Sequence, residues 1–417
     1  MSLEQIHRDE WGRLLALLVA HSRRLDLAED ALAEAFEQAA RVWPGDGTPT
    51  NPAGWLMTTA KRRIADRVRA EAIAARKQPL LAIDERNRMQ DNDRGDELLR
   101  LVLLAAHPAL APEAGAALTL RLVLGVPTGD IAKLFLVSEP TMAARLTRAR
   151  KKVIAAGIPL ALPDARVLPG RLDTVAQVAY LAFTAGYAPG SGPDLVRVEL
   201  AGEAIRLVRL MRSSSPVARA SQSLTALLGL MLLQHSRRDA RVGDAGELVR
   251  LPDQQRSTWH QHEIAEGLDL LGALTGRETS PAIEIDGPVA ASYLLQALIA
   301  AEHARVARAQ DTDWVTIADL YRQLEELTGS PVVRLNRAVA VAEAGDLDAA
   351  MALADGLLTE LPTNHRLHAV RAEFLTRAGR TTQAGDAYRE AISLCANDVE
   401  RSDLEQRLAF VADPEGQ

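Results

Sequence analysis

Apolar residues recur at helical spacing along almost the whole chain, and the alternating runs that build strands are nearly absent. Trp11, Leu14, Leu15 and Leu18 stand at i, i+3, i+4 and i+7, which defines one amphipathic helix. Ala28, Ala31, Leu32, Ala35, Phe36 and Ala39 repeat the period, with Asp30, Glu34 and Glu37 on the other side. A third row, Leu56, Ala60, Ile64 and Val68, belongs to a helix starting near Trp55, with Arg62, Asp66 and Arg69 opposite. A strand exposes every second residue to one face, so a chain patterned this way folds as an all-α protein. Two segments punctuate the pattern. Trp43 to Pro52, dense in Pro, Gly, Thr and Asn, reads as a loop, and the polar stretch Asp84 to Asp96 as a linker.

Several function classes are excluded at this level. The lone cysteine, Cys395, permits no internal disulfide, four-cysteine zinc site or iron–sulfur cluster. The first residues, MSLEQIHRDEWGR, are charged and lack a signal-peptide core. The longest apolar run, Leu224 to Leu233, is too short to span a bilayer. The expectation is a soluble cytoplasmic protein with no membrane partner. No nucleophile motif or Gly-rich phosphate loop stands out, so neither an enzyme nor a cofactor is expected.

Charge is distributed unevenly. The net charge is −7, and the segment from Ala340 to Gln417, with 7 basic and 14 acidic residues, carries all of it. Two basic islands lie in the neutral remainder. One holds Lys61, Arg62, Arg63, Arg67, Arg69, Arg76 and Lys77; the other holds Arg121, Lys133, Arg145, Arg148, Arg150, Lys151 and Lys152. Basic islands on an acidic chain point to nucleic-acid contact at two places, although each alone also fits a solvated helix face.

The second island has a definite shape. Thr128 is placed to cap a short helix carrying Ile131, Ala132, Leu134 and Phe135, and a tight break follows at Leu136–Val137. Ser138 then caps a second helix whose first turn tolerates Pro140, because the early amides lack intrahelical acceptors. Met142, Leu146 and Val153 fall on the inner face, while Arg145, Arg148, Lys151 and Lys152 fall on the outer one. Two helices around a short turn, the second basic, make a helix-turn-helix; an ordinary αα-hairpin shares the pattern.

The run DIAKLFLVSEPTMAARLTRARKKV resembles region 4 of bacterial RNA polymerase sigma factors. Asp26 to Pro44 resembles their region 2.2, and Asn51 to Arg69 their regions 2.3 and 2.4. The order is similar to that of the extracytoplasmic-function (ECF) class. Leu136 stands where the turn usually has Gly, and Ala143 where a polar base-reading residue is common. The resemblance implies a transcription initiation factor that binds core RNA polymerase and directs it to promoter DNA. It implies core-polymerase binding by Asp26, Asp30, Glu34, Phe36 and Glu37. Region 2 would contact DNA through Trp43, Asn51, Lys61, Arg62, Arg63, Asp66 and Arg69. The helix-turn-helix would do so through Ser138, Glu139, Thr141, Arg145, Arg148, Lys151 and Lys152. Trp43 and Trp55, beside the basic helix, suit an unstacked base; Trp55 and Leu56 fit the module's core equally well.

Beyond this the chain has its own pattern. Gly345 and Gly379 are 34 residues apart, as are the pairs Arg337-Ala338 and Arg371-Ala372, which is the tetratricopeptide (TPR) spacing. Two repeats cannot bury their faces alone, so helices near Val289–Ala309 and Asp313–Leu327 are expected to complete the stack. The LPDQ-R-W segment from Leu251, DTDW from Asp311 and the later repeats make the whole chain similar to ECF factors with a TPR-bearing C-terminal extension. The expected domains are region 2 (1–75), a linker (76–104), region 4 (105–162), a helical extension (167–285) and TPR-like repeats with a protein or peptide ligand (286–410). The resemblance implies an extension needed for activity, so deletion from about Val167 is expected to lower promoter-directed transcription. A non-sigma helix-turn-helix regulator with a TPR partner domain is the alternative. A metal-dependent hydrolase centred on His260, His262 and Glu263 is a third reading, for which no further ligand is evident.

Overall fold

Ser2 starts the first helix by accepting the Gln5 amide at 3.1 Å, and α1 (Leu3–Ser22) buries Ile6, Trp11, Leu14, Leu15 and Leu18. The computed structural model describes residues 2–75, 97–135, 137–187, 198–243, 247, 249–276 and 285–412. Among these the regular structure is helical: 19 α-helices and four short 3₁₀ turns, with no strand, as the periodicity requires. The chain divides into two compact units, Met1–Ala182 with Arg206–Ser221, and Phe183–Ile205 with Gln222–Gln417.

In the first unit α2 (Leu25–Asp46) buries the expected row from Ala28 to Ala39. It also runs through Trp43 and Pro44, where the sequence reads as a loop. Pro44 falls in the last turn, where its missing N–H and ring disturb little continuing helix, and the chain turns off at Gly47 with φ 85°. Asn51 Oδ1 accepts the Gly54 amide at 2.9 Å and opens α3 (Pro52–Ala75), three residues before Trp55. Leu56, Ala60 and Ile64 are buried; Val68, one turn further, is exposed.

The helix α4 (Glu97–Ala105) occupies part of the expected linker, with Leu98, Leu99, Leu101 and Val102 in the core. A nearly unbroken apolar helix has too much surface to leave in water, so it packs on α1. Asp84 to Asp96 lies outside the described residues, as do Arg76 and Lys77. Next, α5 (Pro112–Leu124) packs against α1, α4 and the helix pair α6 (Thr128–Leu134) and α7 (Glu139–Ala155). The first part of α8 (Leu168–Tyr187), the last part of α9 (Val198–Ser214) and the short α10 (Pro216–Ala220) complete the unit.

The centre of the second unit is α11 (Gln222–His235), buried from Ser223 to Leu233, the run that is too short to cross a membrane. No described helix is long and apolar enough to do so. Its Gly229 meets Gly267 of α12 (Gln261–Thr275); a Cβ on Gly267 would lie 2.9 Å from Leu233 Cγ, so the glycine sets the helix approach. From α13 (Gly287–Ala304) the helices stack in chain order: α14 (Trp314–Thr328), α15 (Pro331–Glu343), α16 (Leu347–Asp355), α17 (His365–Arg377), α18 (Thr381–Leu394) and α19 (Asp398–Ala412). Three successive cores run along the stack. Ile317 and Leu324 lie in the first, Leu335 and Phe374 in the second, Tyr388 and Leu404 in the third. The pairs α15–α16 and α17–α18 begin 34 residues apart, and their turns use Gly345 (φ 102°) and Gly379 (φ 71°). Both glycines take a backbone conformation that a side chain would strain.

Candidate nucleic-acid interface

Ser138 caps α7 as its sequence position requires: its Oγ accepts the Thr141 amide at 3.4 Å and lies 2.8 Å from Thr141 Oγ1. Met142, Leu146, Ala149 and Val153 are buried, so the 3.6-residue period sends Glu139, Thr141, Arg148, Lys151 and Lys152 into solvent. Arg145 is half-buried. Thr128 does not cap α6. Pro127 holds the cap position without a side-chain acceptor, and Thr128 is already the first helical residue. The turn hydrogen bond runs from the Val137 amide to Ala132 O at 3.0 Å; Leu136 lies outside the described residues. Arg150 of the same basic run turns inward to Glu29, on the side opposite the exposed cations.

The α2–α3 surface is more self-contained than its charges suggest. Asp30 pairs with Arg67 at 3.0 Å, Glu34 also pairs with Arg67, and Arg63 reaches Glu34 at 3.7 Å. Asp26 accepts from Arg24 at 2.8 Å, and that hydrogen bond holds its carboxyl below the usual carboxylate range. Such exposed pairs are individually weak, so a stronger basic partner can compete for them. Glu37 is exposed with no side-chain partner among the described residues, as are Lys61 and Arg62. Arg69 and Asp66 pair with each other at 3.0 Å.

Two expected contacts are core residues instead. Phe36 is buried with its ring 4.8 Å from His7 and 5.8 Å from Trp11. Trp43 is buried against Trp55, with ring centroids 5.5 Å apart. Large rings on the inner row of α2 bury more surface than any other side chain there, and the core claims them. Asn51 serves locally as the helix cap. Arg67, absent from the expected set, organises this surface; its place beside the acidic stripe depends on how α2 and α3 pack, which spacing alone does not specify.

In the second unit the polar segment around residue 260 divides among separate partners. Glu263 lies 3.0 Å from His235 Nδ1 and 2.8 Å from Arg238. Burial pushes its carboxyl up, but His235 and Arg238 outweigh burial and leave it below its ordinary value. His260 contacts Asp239 at 2.8 Å, and His262 is exposed. These residues form no ligand set for a hydrolytic metal. Among the described residues, ligand atoms within 4.8 Å of one another occur at His365, Cys395 and Glu400. Glu400 is already paired there with His365 and Arg366, both at 2.9 Å, and burial pushes the Cys395 thiol up. The cluster is satisfied without an ion.

Comparison with known proteins agrees with the placement of α4 to α7 in one module. Residues 100–153 match the family model for sigma-70, region 4, a transcription-factor domain. Residues 171–274 match a family of unknown function, DUF6596. Over 407 residues the chain is 39% identical to the uncharacterized protein R00370 of Rhizobium meliloti (strain 1021), covering 95% of this chain and 93% of the relative.

Proposed function

Because the chain belongs to the same family as the Rhizobium meliloti protein R00370 and carries a sigma-70 region 4 at residues 100–153, we propose that it is a sigma factor of the ECF class. The observation that carries this reading is α7, a Ser138-capped helix with Arg148, Lys151 and Lys152 outside and a separate apolar face inside. In this role α7 reads the upstream promoter element. The face of α3 with Lys61, Arg62 and Arg69 meets the downstream element, and α2 offers Asp30, Glu34 and Glu37 to core polymerase. The pairs α15–α16 and α17–α18 are read as TPR repeats. Their groove of about 390 Å³, lined by His368, Arg371, Arg380, Asp386 and Glu390, suits a peptide of mixed charge.

Transcription in vitro with purified core polymerase tests the proposal: the full chain is expected to support promoter-directed synthesis. Duplex binding without core binding would instead leave the helix-turn-helix regulator. Two substitutions sharpen this. The double variant Arg148→Ala/Lys152→Ala should weaken duplex binding and flatten its salt dependence by about 0.9 for each phosphate that is no longer neutralised. An unchanged slope would place the DNA-facing side elsewhere. Glu37→Lys disturbs no described pair, so it should weaken core binding, most strongly at low salt, while leaving melting unchanged. Wild-type core affinity in that variant would remove Glu37 from the polymerase surface.

A further inference from the structure

Most polar side chains on the first half of α7 are already engaged within the protein. Ser138 Oγ accepts the Thr141 amide and lies 2.8 Å from the Thr141 hydroxyl. Thr147 Oγ1 donates to Ala143 O, one turn back, at 2.9 Å. Glu139 lays its carboxylate over Gly129 of α6, where a Cβ would stand 3.4 Å from Oε2. Between these groups Pro140, Ala143 and Ala144 are exposed. Arg145 is half-buried with no side-chain partner among the described residues, and the exposed cations Arg148, Lys151 and Lys152 stand further along. In a helix-turn-helix the first residues of the second helix meet the base edges. On α7 those positions present methyl groups and engaged hydroxyls.

We infer that α7 reads the upstream element through the 5-methyl groups of thymine, with Ala143 and Ala144 setting the specificity. The inference rests on the sigma-factor reading, which lays α7 in the major groove. There the base pairs differ in their donors and acceptors, and thymine alone adds a methyl group. A side chain that ends at Cβ offers a base edge no hydrogen bond, yet it lets the helix approach closely and pack on that methyl. Ala143 and Ala144 both face outward, about 100° apart around the helix, so they meet neighbouring base pairs. Thr147, its hydroxyl turned back to the helix, continues the same face. Arg148 and Lys151 suit the flanking phosphates, which fix position but carry no base identity. The rival reader is Arg145, whose guanidinium matches O6 and N7 of guanine.

The full chain, with and without core polymerase, is used to enrich duplexes from a randomised library. Each thymine of an enriched duplex is then replaced singly by uracil, which removes the methyl and keeps the pairing. At one or two positions affinity should fall about fourfold, the worth of one buried methyl group. Ala144→Gly should abolish that penalty at one of them. Ala143→Gln, which retains a good helix former if the glycine variant melts poorly, should move a preferred thymine to adenine, read through N6 and N7. Uracil tolerated at every position, or penalties unchanged in both folded variants, would overturn the inference. So would a readout lost only with 7-deazaguanine and only while Arg145 is present, since Arg145→Ala would then show that guanine is the base read. Enrichment by the chain alone, with no binding of polymerase, would reject the sigma-factor reading instead, and the uracil scan of those duplexes would still decide the thymine contact. A chain that enriches nothing in either state would overturn both.

Discussion

A chain ending at Leu162 is expected to lose cooperative folding altogether. The resemblance to factors with an essential extension already implies that deletion from about Val167 lowers transcription, but the structure supplies a more elementary reason. The first part of α8 belongs to the same unit as α1 to α7 and buries Leu172, Val175, Val178, Ala179 and Ala182. Arg171 donates to Leu103 O at the end of α4, and Val178 lies against Gly115 of α5, 3.6 Å from where a Cβ would stand. Burial of a large aliphatic side chain stabilises by roughly 1.5–3 kcal/mol, so Leu172, Val175 and Val178 alone contribute about 4.5–9 kcal/mol. That is comparable to the roughly 5–15 kcal/mol by which a domain is stable at all. Circular dichroism of the truncated chain should show helix content without a sharp melt. A cooperative transition within a few degrees of the full chain's would show that α8 is dispensable to the unit. A fall in transcription in such a truncation therefore reports unfolding before it reports regulation.

Acidification should weaken the second unit through His303 well before its carboxylates protonate. His303 is near the end of α13, its ring 5.2 Å from Trp314, and its Nδ1 is buried with no partner among the described residues. Burial, and then the nearby Arg237 and Arg256 guanidinium groups, push its pKa down to about 4. An unfolded histidine titrates near 6.5, so between about pH 6.5 and 4 the unfolded chain binds a proton that the folded chain refuses. Stability falls through that window and levels off below it, by about 2 kcal/mol at pH 5 and about 3 kcal/mol at pH 4. Glu263 and Glu400, both held below their ordinary values, lose their contribution only at lower pH. Thermal melts of wild type and His303→Gln at several pH values check this. The wild-type curve should fall more steeply between pH 7 and 5, and parallel curves would remove His303 as the cause.

The fold class, the helix-turn-helix and the 34-residue repeat were legible in the sequence because each rests on local periodicity. Met142, Leu146 and Val153 had to share a face of α7 whatever they packed against, and Ser138 had to cap it because the first amides of any helix lack partners. The two repeat glycines followed from a turn that needs positive φ. Periodicity already put Phe36 on the inner row of α2, in conflict with its expected role as a polymerase contact, whereas Trp43, read as loop, joined the core because α2 continues through it. Glu29 carries a signal of its own in the sequence: it lies one turn from Leu25 and three residues before Leu32, a charge on an apolar face that demands a buried cation. Which cation it meets was beyond the sequence. Arg121 and Arg150 stand 92 and 121 residues away, and Arg67 reaches the acidic stripe from 33 residues or more. The sequence by itself determined helices and their apolar faces, since those follow from steric and hydrogen-bonding rules within a few turns. Only the tertiary structure decided which charges are spent inside the protein and which remain for a partner, because that depends on distances closed by the packing of whole helices.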